Sequence, residues 1–128
     1  MTMHCKNNQR RIFMKNINEL IKRIIAFRDN RDWKKFHNPK DLALSLVLEA
    51  TEVMEHFQWK SNKEMEKYVV EKKNEIGEEL ADVLYWVLLI SYDLKIDILD
   101  ALEKKLQKNE EKYPVDEAKG KHTKYNKL

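Results

Sequence analysis

The chain has 128 residues and a formal net charge of +3, with 42% apolar residues, 37% charged residues, two glycines and two prolines. That length fits one domain with a real core, and the scarcity of chain breakers excludes a strand-and-turn fold in favour of long helices. The single cysteine, Cys5, excludes an intrachain disulfide and a cysteine-based zinc site and points to a reducing, cytoplasmic setting.

Residues 1–15 are expected to form a basic, disordered tail. They lack the apolar core and cleavage pattern of a secretory signal. A first amphipathic helix is predicted over about 16–32, with Ile17, Leu20, Ile21, Ile24, Ile25 and Phe27 at helical spacing. The stretch RDWKKFHNPK is a connector. Asn38 followed by Pro39 is a start signal, because the Asn side chain can cap and the missing proline N–H costs nothing at the first helical position. The second helix then runs to about Trp59. Ser61 and Glu64 have capping-box spacing and open a short helix through Val70. A long helix follows over 74–93, and Asp97 caps a last one over 98–112, which Pro114 stops. Residues 114–128 are expected as an extended tail, leaving 16–113 as the helical domain. The predicted fold is all-α, a bundle of four to five helices with short connections.

Charge is unevenly placed. Residues 41–59 contain Asp41, Glu49, Glu52 and Glu55 with no Lys or Arg, and residues 74–94 contain Glu75, Glu78, Glu79, Asp82 and Asp93 with none. Compensating positive charge is spread over the rest of the chain without a stripe on one helix, so no polynucleotide partner is expected. No apolar run reaches the roughly 18 residues of a membrane span.

The two acidic helices are also the two most apolar. At about 100° per residue, the predicted buried face of the second helix comprises Ala43, Leu46, Val47, Ala50, Val53, Met54 and Phe57. Glu49 falls on its border, Glu52 one step further out, and Glu55 in solvent. Glu79 and Asp82 repeat the i,i+3 spacing on the later helix and share a stripe with Trp86. Solvated border glutamates explain one such pair; two pairs without basic neighbours suggest a site for a hard divalent cation, Mg²⁺ or Mn²⁺. A di-iron centre of the helical-bundle type needs Glu-x-x-His, and no histidine here has an acidic residue three positions before it.

Such an ion suits metal-assisted hydrolysis of a phosphoanhydride. There is no phosphate-binding G-x-x-x-x-G-K-[ST] loop. Trp33, Trp59 and Trp86 are candidates to stack on a nucleobase, with core packing as the alternative. Lys105 and Asn109 share a polar stripe of the last helix and are candidates to meet phosphate, with a solvated face as the alternative. A reading of a different class also stands: a non-catalytic helical module that binds a partner through its acidic faces.

RDWKKFHNPKDLALSLVLEATEVMEHFQWK, EIGEELADVLYWVLLISYDLKIDILDA and KKLQKNEEKYPV resemble the MazG-like all-α nucleoside triphosphate pyrophosphohydrolases, and within them the dCTP pyrophosphatase branch. The resemblance spans about residues 16–126. It implies Mg²⁺-dependent cleavage between the α and β phosphorus, giving a monophosphate and pyrophosphate. By motif match it implies metal ligands and catalytic groups at Glu49, Glu52, Glu79 and Asp82. It places Trp33 and Trp59 around the base and Lys105 and Asn109 at the phosphates. His37 and Lys60, inside the matching FHxPxxL and EHFQWK motifs, and Trp86 join the candidate substrate contacts. It also implies a homodimer or a dimer-of-dimers tetramer. Trp86 stands where that branch has tyrosine, and Ile24 where it has histidine. The chemistry is therefore expected to carry over more fully than the base preference, dCTP or a modified pyrimidine deoxynucleotide.

Overall fold

A computed structural model describes residues 16–128; the expected tail 1–15 lies outside the described residues. Five helices of ten residues or more are present: α1 (Ile17–Asn30), α2 (Pro39–Glu55), α3 (Asn62–Glu71), α4 (Lys73–Asp93) and α5 (Ile98–Lys112). A single-turn α6 (Val115–Ala118) and 3-10 turns at Lys34–Phe36 and Tyr125–Lys127 complete the described residues, which contain no strand. The all-α expectation holds. Segment 114–128 is extended only between its short helical turns.

Local chemistry starts the helices where the sequence said it would. The Asn38 side chain accepts the Asp41 N–H at 2.9 Å, with Pro39 in the first turn. Ser61 accepts the Glu64 N–H, the first half of a capping box, and donates its hydroxyl to the Glu64 carboxylate. Asp97 accepts the Asp100 N–H at 3.1 Å. Each cap satisfies a donor that the helix itself leaves free.

The described residues divide into two compact units, one ending at Leu94 and the other covering Lys95–Leu128. In the first, α4 is the central element and packs against α1, α2 and α3. Its core is small: Leu42 of α2 is 1% exposed, and Leu89 of α4 is fully buried beside Leu88 in sequence. Burying each leucine contributes about 1.5–3 kcal/mol. In the second unit, α5 is followed by a turn whose Tyr125 ring meets Tyr113 edge-on at 6.1 Å.

Two expectations need correction. Helix α2 stops at Glu55, four residues before Trp59, because the chain turns there and Trp59 adopts a left-handed backbone at φ 67°. The buried face of α2 is also rotated. Leu42, Leu46, Glu49, Val53 and His56 are buried or half-buried, whereas Ala43, Val47, Ala50 and Met54 are exposed. The face centres near Glu49 rather than near Leu46. The face differs from the expected one because α2 is apolar on two sides, and a face averaged over both puts the glutamate at its edge.

Candidate metal and nucleotide site

Rotation of α2 carries Glu49 into the α2–α4 interface, where α4 presents Glu79. One carboxylate oxygen from each of Glu49, Glu52, Glu79 and Asp82 lies within 4.8 Å of the other three. Glu49 and Glu79 are half-buried, and Glu52 and Asp82 form the exposed side. Among the described residues none of the four is ion-paired with Lys, Arg or His.

This crowding has an electrostatic signature. Desolvation, then the charge of Glu52, pushes Glu49 above the usual carboxylate range. The largest influence on Glu52 is a hydrogen bond with Glu79, available only when one of the two is protonated, and it raises the Glu52 pKa. Desolvation and the Glu49 charge raise Asp82. Glu79 Oε2 is buried without a hydrogen-bond partner. Hard oxygen donors, mutual repulsion and a buried oxygen lacking a donor fit a hard divalent cation such as Mg²⁺ or Mn²⁺.

Aromatic rings line up beside the carboxylates. Trp33 meets Phe27 at 5.7 Å, Phe27 meets Tyr85 at 6.4 Å, Tyr85 meets Trp86 at 5.2 Å, and Trp86 meets His37 at 5.7 Å, all near edge-on. Trp86 joins this row to the acidic cluster, since its indole N–H favours the ionised form of Glu49. Burial, and secondarily the Arg28 charge, hold His37 below the usual imidazole range, against a smaller opposing influence of Asp93. His37 is therefore neutral at pH 7.

The structure thus gathers Glu49, Glu52, Glu79, Asp82, Trp86, Trp33 and His37 in the first unit. Trp59 and Lys60 lie on the turn after α2. Trp59 is 92% exposed, and the Lys60 ammonium sits 4.2 Å from the Tyr68 ring centroid. Tyr68 is also hydrogen-bonded to His56 Nδ1 at 2.6 Å. Lys105 and Asn109 lie on α5 in the second unit, Lys105 exposed and Asn109 half-buried.

Sequence reasoning missed the Arg28–Asp93 ion pair. Arg28 is 1% exposed and donates from both terminal nitrogens to the Asp93 carboxylate, at 2.7 and 2.8 Å. A signal was present: Arg28 continues the Ile17, Ile21, Ile24 stripe of α1, and Asp93 lies seven residues after Trp86 on the inward side of α4. A charge carried on an apolar stripe asks for its opposite.

A family model described as the MazG-like family matches residues 44–128. The mouse dCTP pyrophosphatase 1 is 36% identical over 113 residues, which are 86% of this chain and 66% of the mouse protein. The human dCTP pyrophosphatase 1 is 34% identical over the same length and coverage. The chain thus spans just under two thirds of the length of these relatives. A crystal structure of a pyrophosphatase from Archaeoglobus fulgidus superposes with a TM-score of 0.73 at 40% identity, covering 77% of this chain and 92% of that one. The chain belongs to the MazG-like family.

Proposed function

We propose that this chain hydrolyses nucleoside triphosphates to the monophosphate and pyrophosphate, with Mg²⁺ as cofactor and dCTP or a modified pyrimidine deoxynucleotide as substrate. The observation that carries the reading is the four-carboxylate cluster closing within 4.8 Å at the α2–α4 interface. Relatives named dCTP pyrophosphatase and pyrophosphatase support the reaction class.

In this reading Glu49, Glu52, Glu79 and Asp82 hold the cation. When bound, it neutralises phosphate oxygens and lowers the pKa of an attacking water. The protein's own groups orient and sort. Trp86 favours the ionised Glu49 carboxylate, and Trp33, Trp59 and neutral His37 offer faces and an edge to the base. Lys60, Lys105 and Asn109 are candidate phosphate contacts on the family resemblance. The chain works as a homodimer or homotetramer. The support is apolar surface that one protomer leaves exposed, with Val47 at 61% and Leu48 at 66% on the side of α2 away from α4. No described helix is long and apolar enough to cross a membrane, and the proposed setting is cytoplasmic.

The test is incubation with Mg²⁺ and a panel of nucleoside triphosphates, with the products identified. Monophosphate plus pyrophosphate is expected. Orthophosphate alone, or no turnover together with no stabilisation by Mg²⁺, would overturn the proposal and leave the acidic interaction module.

A further inference from the structure

We infer that the buried Arg28–Asp93 ion pair is a positioning device that locks the aromatic row Trp33–Phe27–Tyr85–Trp86–His37 in place and so sets nucleobase discrimination. The inference rests on the proposed nucleotide chemistry for its functional half and on geometry for its structural half.

Arg28 holds the row at both ends of its own residue. Its side chain grips Asp93, the last residue of α4, through two parallel hydrogen bonds. Its backbone carbonyl accepts the N–H groups of Arg31 and Trp33, each at 3.2 Å, across a turn in which Asp32 is left-handed at φ 53°. One residue therefore ties the departure of Trp33 from α1 to the end of α4. Trp86 lies two turns before Asp93 on that helix, and Tyr85 precedes it.

Rings stacked edge to face contribute only about 0.5–1.5 kcal/mol each and slide easily. A bidentate guanidinium–carboxylate pair has one preferred geometry and does not slide. Stability alone does not require the pair, since apolar residues of like volume serve a core as well as a buried ion pair does. Orientation does require it. Both charges also reach His37: Arg28 favours its neutral form and Asp93 opposes this. His37 Nδ1 is buried with no hydrogen-bond partner among the described residues, a polar atom that the edge of a nucleobase would satisfy. Moving the row by a fraction of an ångström would spoil that edge while leaving the four carboxylates on α2 and α4 able to bind metal.

The test uses the full chain with Arg28→Met/Asp93→Leu, which removes both charges at once, and Arg28→Lys, which keeps the charge and loses the fork. Readouts are the near-ultraviolet circular dichroism of the tryptophans, stabilisation by Mg²⁺, and steady-state kinetics with dCTP, dTTP, dATP and dGTP. For the double variant we expect intact helical signal and Mg²⁺ stabilisation and a tryptophan band reduced by about half or more. KM for the best nucleotide should rise about tenfold with kcat within about threefold, and the spread of kcat/KM across bases should shrink about fivefold. Arg28→Lys should move each readout the same way by less. A merely structural pair would change at most the melting temperature and leave the tryptophan band, KM and base spread unchanged in the folded protein; that result overturns the inference. Should the double variant not fold, Arg28→Lys decides by the same criteria. A wild type that cleaves no nucleotide refutes the proposed function, while the tryptophan band still tests whether the pair holds the row.

Discussion

Glu52 on α2 and Glu79 on α4 meet across the helix interface, each with a carboxylate oxygen inside the same 4.8 Å cluster, and Glu79 raises the proton affinity of Glu52. Two carboxylates in such contact share either a proton or a cation. The choice between them depends on pH, and it makes the state of the site readable from stability.

In the metal-free protein, Glu49, Glu52 and Asp82 all titrate above their ordinary values. The native state therefore holds these protons more tightly than the unfolded chain does. Their stabilising contribution is complete below the ordinary carboxylate pKa and is lost as pH rises through the raised native values. Thermal melts from about pH 4 to about pH 8 should show the metal-free protein losing stability toward neutrality, with other titrating groups superimposed. Millimolar Mg²⁺ should restore stability near neutral pH and do little at the acid end, where protons occupy the same oxygens. A Mg²⁺ effect independent of pH would contradict this account.

Glu49→Gln and Asp82→Asn each remove a hard anionic donor and relieve repulsion. Turnover should fall by at least about 10³-fold, since the charge neutralisation a cation supplies is worth several kcal/mol. The melting temperature of the metal-free variants should stay level or rise near neutral pH. Full activity in both would remove these residues from the cation site.

Trp59 combines a left-handed backbone with 92% exposure. A bulky residue there carries strain of about 1–2 kcal/mol without burying its ring. Trp59→Asn should therefore gain up to about 1 kcal/mol in denaturant unfolding, because asparagine tolerates that conformation. The same substitution should raise KM for nucleotides. Leu89→Ala, by contrast, should cost about 2–5 kcal/mol, since Leu89 is completely buried.

Leu44, Val47, Leu48 and Met54 form an exposed apolar strip on α2. In solution the 15.5 kDa chain should run at twice its mass or more by light scattering. Leu48→Glu should shift it toward the monomer. A wild-type monomer at micromolar concentration would refute the oligomer.

How much of this was legible in the sequence follows the range of the forces involved. Caps at Asn38, Ser61 and Asp97 depend on neighbours three residues away, and all three stand where the sequence put them. The pairing of Glu49 and Glu52 with Glu79 and Asp82 was legible from spacing and from the absence of basic residues. The true buried face of α2 was not, because a helix apolar on two sides does not reveal which side its own chain covers. Nor was the Arg28–Asp93 bond, which joins residues 65 positions apart. The end of α2 was misplaced because the left-handed turn at Trp59 lacks the glycine that normally announces one.

Helix α4 carries Glu79 and Asp82 in its first half, Trp86 beyond them, and Asp93 at its end. Trp86 lies one turn beyond Asp82, whereas Asp93 lies about three turns beyond it. Redesign of base preference at Trp86 itself will therefore disturb cation affinity, while a change at Asp93 acts on the ring row from a distance and spares the carboxylates. The connector holding Trp33 and His37 contributes no carboxylate to the cluster, so it is the segment where selectivity can be altered while the hydrolytic machinery is left intact.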